Sequence, residues 1–154
     1  MATLVTPPPT AARGERFFLI SAILMTLIIV AGFSNAIAMG ISSFRAPLRV
    51  HIHAFVFFGW VALYLTQNIL AAGSHLALHR RLGWLSVGWI PAMMVMGTFV
   101  TVSMAREGYV PFFFQPAYFL IMDPLSVYTF AALAAAAIIK QELHDTNYLQ
   151  LMNL

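Results

Sequence analysis

Histidine and one aspartate carry what chemistry this chain can do, because its 154 residues include five His and no Cys. Any metal ion or haem would have to be held by His, Met, Tyr or carboxylate, and disulfides and Cys nucleophiles are excluded. Sorted by the apolar runs that flank them, the histidines fall into two groups. His51 and His53 open the second apolar run, whereas His75, His79 and His144 lie near the opposite membrane face. A bis-histidine haem b needs two imidazoles at similar depth on facing helices. No histidine remains to pair with His51 or His53 on their side, which argues against a two-haem cytochrome; a single haem would use His79 with His144. A metal ion would find His51, His53 and Asp123 on one side, with Arg49 a turn before His53. On the other side, His75 and His79 are four apart and share a face if their segment is helical. The plainer alternatives are interfacial histidines meeting lipid phosphates beside Arg80 and Arg81, and an Asp123 that caps its own helix.

The best-organised pattern is His53, Phe57, Trp60, Tyr64 and Gln67, at intervals of four and three and hence on one helical face. Lipid would prefer Leu there. Such a face points into a bundle or at a partner, with Gln67 and Asn68 hydrogen-bonding across helices. Nowhere does the sequence show a nucleophile with its base, a phosphate loop or a metalloprotease signature, so an enzyme is not expected.

The elements that must position these residues are set by composition. With 61% hydrophobic and 8% charged residues and a mean hydropathy of +0.85, the chain departs from soluble domains, which carry about 25% charged residues. Backbone in hydrocarbon is satisfied only by helices or closed barrels, and the apolar runs here are too long and unbroken for barrel strands. The fold predicted is an all-α membrane protein with four transmembrane helices, at about Phe17 to Met39, Val50 to Ala72, Trp84 to Met104 and Ala117 to Lys140. Residues 1–15 (MATLVTPPPTAARGE) read as a flexible Pro-rich arm, 16–141 as the transmembrane domain, and 142–154 as a short tail. In the last span Asp123 and Pro124 have the chemistry of an N-cap followed by Pro at the first helical position, so the regular helix is expected to be broken there. Pro91 is expected to kink the third span. Gly32, Ala36 and Gly40 recur every four residues, a small-residue face that admits another helix. The net charge of +3 and pI near 9.7 come from basic residues beside apolar runs, which is topology information and not a nucleic-acid patch. Arg13, Arg16, Arg80, Arg81 and Lys140 outnumber Arg45, Arg49 and Arg106, placing both termini in the cytoplasm.

From about Arg49 to Lys140 the order of residues resembles a group of uncharacterised bacterial multi-pass membrane proteins. The resemblance rests on His53 opening a span, Trp60, Tyr64, Gln67 and Leu70 along it, HRRLGW from His79 to Trp84, a Gly-containing third span, and an aromatic run before Asp123 and Pro124. It implies topology more than activity. The pattern departs at the end, where the group continues with a His-Lys-Arg-Leu-Met-like stretch and this chain reads YLQLM from Tyr148 to Met152. The function expected is that of a non-enzymatic accessory subunit in a bacterial inner membrane, packing against other subunits of an energy-transducing or electron-transport assembly. The alternatives are a haem- or metal-binding redox protein and a small-molecule carrier or sensor on the His53-to-Gln67 face.

Overall fold

A computed structural model describes the backbone of residues 9–111 and 115–152 and the side chains of residues 16–111 and 115–140. The described residues form four helices: α1 (Pro9–Ala38), α2 (Leu48–Ala72), α3 (Leu76–Arg106) and α4 (Pro116–Met152). All four hold segments long and apolar enough to cross a membrane, of 23, 25, 31 and 25 residues, against the roughly 20 that about 30 Å of hydrocarbon requires. The chain is a multi-pass helical membrane protein by this measure. Apolar burial inside the protein does not hold the helices: only 6% of the α1 span window is buried and 28% of the α3 window. Large side chains such as Ile28, Phe55 and Val95 stand about 70% exposed, an arrangement that water would penalise and acyl chains accept.

Three helix ends share one device. At the end of α1 the Gly40 N–H donates to the Ile37 carbonyl (3.0 Å) and the Ile41 N–H to the Ala36 carbonyl (3.0 Å), with Gly40 at φ +71°. This is the Schellman pairing, in which a left-handed residue turns the chain back onto the last orphan carbonyls. The end of α3 repeats it: Gly108, at φ +76°, donates to Ala105 (3.3 Å) and Tyr109 to Met104 (2.9 Å). At the end of α2 the left-handed residue is Ser74, at φ +57°, with Ser74 donating to Ala71 (3.1 Å) and His75 to Leu70 (2.9 Å). The small-residue face expected to run through Gly40 is therefore corrected. Helix α1 stops at Ala38, and Gly40 is its terminator.

Other boundaries also move. Residues 9–15 are already helical, with Pro9 at the first position, where its missing N–H costs nothing; the remainder of the expected arm, residues 1–8, lies outside the described residues. Helix α3 starts at Leu76 and takes in HRRLG, which hydropathy assigns to a loop. Helix α4 starts at Pro116, and the Phe119 N–H donates to the Gln115 carbonyl (3.0 Å) to open it. Pro124 lies inside that helix, so the expected start at Asp123 is not found. Pro116 already occupies the place that favours proline, and Pro124 merely withholds an N–H from the Leu120 carbonyl. The backbone of the expected tail is helical as far as Met152.

The chain divides between Ser86 and Val87 into two compact units. In the first, α1 packs on α2 through an edge-on contact of Phe33 with Phe58 (centroids 4.9 Å apart, planes at 64°), and Ala22, Leu63 and Leu70 are buried. In the second, Ile90, Met93, Gly97, Val100 and Thr101 form the buried stripe of α3, at the three- and four-residue spacing of one helical face, and Ala131 is buried on α4.

Ser74 is the one non-glycine residue described at positive φ. Ser74→Gly should raise stability by about 1 kcal/mol, the cost of a left-handed conformation for an L-residue, and Ser74→Val should lower it. Thermal unfolding in detergent would test this, and a Gly variant less stable than the parent would refute it.

Candidate functional site

In the first unit, Gln67 on α2 meets His79 and Gly83, one turn apart on α3. The His79 Nδ1–H donates to the Gln67 backbone carbonyl at 3.3 Å, a bond that needs a proton on Nδ1. Gly83 lies against the Gln67 amide: a Cβ added to it would come within 3.9 Å of Nε2. That is ordinary van der Waals contact with a side chain, so the position has room for a Cβ but little beyond it toward Gln67. Gln67 Oε1 is buried, and among the described residues no donor reaches it. Its neighbours on the expected face, Trp60 and Tyr64, are half-buried. Asn68 turns its amide back to the Tyr64 carbonyl (2.8 Å), so it does not bond across helices as expected.

The histidines do not converge. His53 is half-buried and stacks on Phe57 (4.2 Å between centroids, planes at 29°). His51 is exposed, and because both sit on a regular helix, residues two apart point to different sides. They cannot both ligate one ion from α2. His75 precedes α3 and its ring lies over Gly73, whose added Cβ would meet His75 Cδ2 at 3.1 Å, while His79 turns to the Gln67 carbonyl. Among the described residues no group of three His, Asp or Glu could hold a metal ion. The side chain of His144 lies outside the described residues, and so does the expected pairing of His79 with His144 about a haem.

The second unit holds the polar contact between its helices. Thr101 on α3 is 2% exposed; its hydroxyl lies 2.9 Å from the Gly97 carbonyl of its own helix and within hydrogen-bonding reach of Asp123 Oδ2 on α4. Thr98 makes a longer contact with the Tyr128 hydroxyl (3.4 Å). These pairs run in opposite senses along the chain, so α3 and α4 are antiparallel here. A small cavity of about 110 Å³ adjoins Asp123, lined also by Phe119, Met122 and Ser126. Further along the same hairpin an apolar groove of about 560 Å³ opens between Pro91 and Met94 of α3 and Ala131, Ala132 and Ala135 of α4.

Thr101 and Gly83 are the residues that sequence reasoning missed. A lone Thr within an apolar helix ordinarily bonds its own i−4 carbonyl and gives no signal. Gly83, four residues after His79, does signal a shared face once HRRLG is known to be helical.

No family model matches this chain, no curated protein matches it in sequence, and no solved structure matches it.

The contact of α2 with α3 predicts three unequal mutational effects. His79→Phe should cost about 0.6 kcal/mol, the mean of a hydrogen bond between membrane helices. Gly83→Leu should cost more, because its carbons beyond Cβ would run into the Gln67 amide. Gln67→Leu should be neutral or stabilising, because it removes a buried acceptor that has no donor among the described residues. Unfolding in mixed micelles would rank them; a loss above about 1 kcal/mol for Gln67→Leu would show that the amide has a partner.

Proposed function

We propose that this protein is a non-enzymatic subunit of a bacterial inner-membrane assembly, with both termini in the cytoplasm, docking a helix of another subunit on α1. The observation that carries the reading is the strip formed by Gly32, Asn35 and Ala36. These residues share one face of α1, the least internally buried of the four spans. Gly32 has open space where a Cβ would stand, and among the described residues the exposed Asn35 amide donates only to the Met39 sulfur (3.3 Å). Lipid offers nothing to an amide and gains little from a notch, whereas a neighbouring helix fills one and bonds the other. The distribution of Lys and Arg supports the cytoplasmic termini. An energy-transducing or electron-transport assembly suits a subunit with so little mass outside the bilayer.

A second reading has its own observation. The 560 Å³ groove of α3 and α4 is in the size range of small-molecule sites and suits a carrier or sensor of an apolar compound. Its lining comes from α3 and α4, and not from the His53-to-Gln67 residues of α2 first expected to serve that role.

The absence of cysteine makes the docking reading directly testable. Gly32→Cys and Ala36→Cys variants, oxidatively cross-linked in native membranes to partners carrying a thiol or through a thiol-to-amine linker, should yield an adduct with a second protein. Val30→Cys, on the opposite face of the same helix and also exposed, should yield far less. Recovery of a monomer with no adduct would overturn the reading, and a disulfide dimer of the chain alone would replace the assembly with a homo-oligomer.

A further inference from the structure

The contact between Thr101 and Asp123 has more acceptors than protons. Thr101 Oγ1 carries one hydrogen and stands within reach of two oxygens, the Gly97 carbonyl at 2.9 Å and Asp123 Oδ2. Two arrangements satisfy both contacts or leave nothing costly unmet. With a proton on the carboxyl group, Asp123 donates to Thr101 Oγ1 and the Thr101 hydroxyl donates to Gly97. Without it, the hydroxyl rotates and donates to the carboxylate, while the Gly97 carbonyl keeps the backbone bond of its helix. Passage from one to the other breaks the carboxyl O–H bond and turns one hydroxyl, and it breaks no contact between α3 and α4.

The surroundings fit that exchange. Thr101 is nearly devoid of solvent exposure, so the hydroxyl is held in place by its helix. Asp123 is half-buried and adjoins the cavity of about 110 Å³ that Ser126 also lines, which is room for a few waters at about 30 Å³ each. Water entering that recess would accept the released proton. The pair lies about 7.5 Å of helix rise before the end of α3 and about 10 Å beyond the start of α4, within both span windows. Ionisable groups at that depth are costly and are characteristic of proton relays. Among the described residues of the second unit, the polar groups beside Asp123 are Thr101 from α3 and Ser126 from its own helix, with Tyr128 bonded by Thr98 a turn further on. Its described basic residues stand at a distance along the helices: Arg106 about 7.5 Å of rise beyond Thr101, and Lys140 about 25 Å beyond Asp123.

We propose that the Thr101–Asp123 pair is a proton-binding site within the membrane, loaded and unloaded through the Asp123 cavity while the α3–α4 contact stays closed. The site stands on the second unit alone and does not depend on docking at α1.

The sequence contains two aspartates, Asp123 and Asp145, which permits a test on the unmodified full chain. With ¹³C at the Asp carboxyl carbon and at Thr Cβ, solid-state NMR in lipid bilayers should show two carboxyl resonances, and Asp145→Asn should remove one and assign the other to Asp123. The Asp123 signal should move with pH, and a single Thr Cβ resonance, absent in Thr101→Val, should move on the same curve. Thr101→Val should shift the Asp123 curve, whereas Thr101→Ser, which keeps the hydroxyl, should restore it. An Asp123 resonance that does not titrate while the protein remains folded would overturn the proposal. So would an Asp123 curve that Thr101→Val leaves unmoved.

Discussion

Hydrocarbon supplies no hydrogen bonds, and every backbone N–H and C=O within a span must therefore find its partner inside the chain. The helices meet that demand along their length except at Pro91 and Pro124, which leave the Val87 and Leu120 carbonyls without their i+4 donor. Their ends cannot, since the last carbonyls of a helix have no N–H ahead of them. Here the chain folds back on itself within two residues of Ala38, Ala72 and Arg106 and supplies those donors locally. Side chains inside the spans obey the same rule: Thr26, Thr66, Ser86, Ser103 and Ser126 each return their hydroxyl to the carbonyl four residues earlier. The polar groups left over, Gln67, Asn35 and the Thr101–Asp123 pair, stand out against that economy.

The sparse internal burial is a second expression of the same solvent. In water, a chain with Ile28 and Phe55 so exposed would collapse or aggregate; in lipid, apolar contact with a neighbour is no better than contact with an acyl chain. Helix association then rests on close backbone approach and a few polar bonds. The first unit has Gly83 against the Gln67 amide together with the His79 bond. The second has Thr101 with Asp123.

The four spans were legible in the sequence because a run of about 20 apolar residues is long enough to cross hydrocarbon and too apolar to stand in water. Their boundaries were less so, and each miss has a physical cause. Hydropathy cannot distinguish a polar loop from a polar helical turn, so HRRLG looked like a connection, although it lies inside α3. Asp123 followed by Pro124 has the grammar of a helix start, but Gln115 followed by Pro116 opens the helix earlier. Gly40 continued a four-residue spacing and also followed an apolar run, and only the backbone conformation shows which of these meanings applies. Of the candidate site, Gln67 and Asp123 were recognisable as polar residues at membrane depth. Thr101 was not, since its pairing with Asp123 follows from the register of α3 against α4, which no local pattern records.

The left-handed turns after α1, α2 and α3 are built from bonds spanning no more than six residues. Each of these three helices thereby carries its own stopping point, independent of any neighbour. A membrane chain is delivered to the bilayer span by span, and its earlier helices wait there before later ones arrive. A segment whose length is set within itself cannot unravel into lipid or lengthen into the next loop during that interval. The weakly packed helices of this protein can therefore remain intact as separate rods until the few polar contacts that join them form.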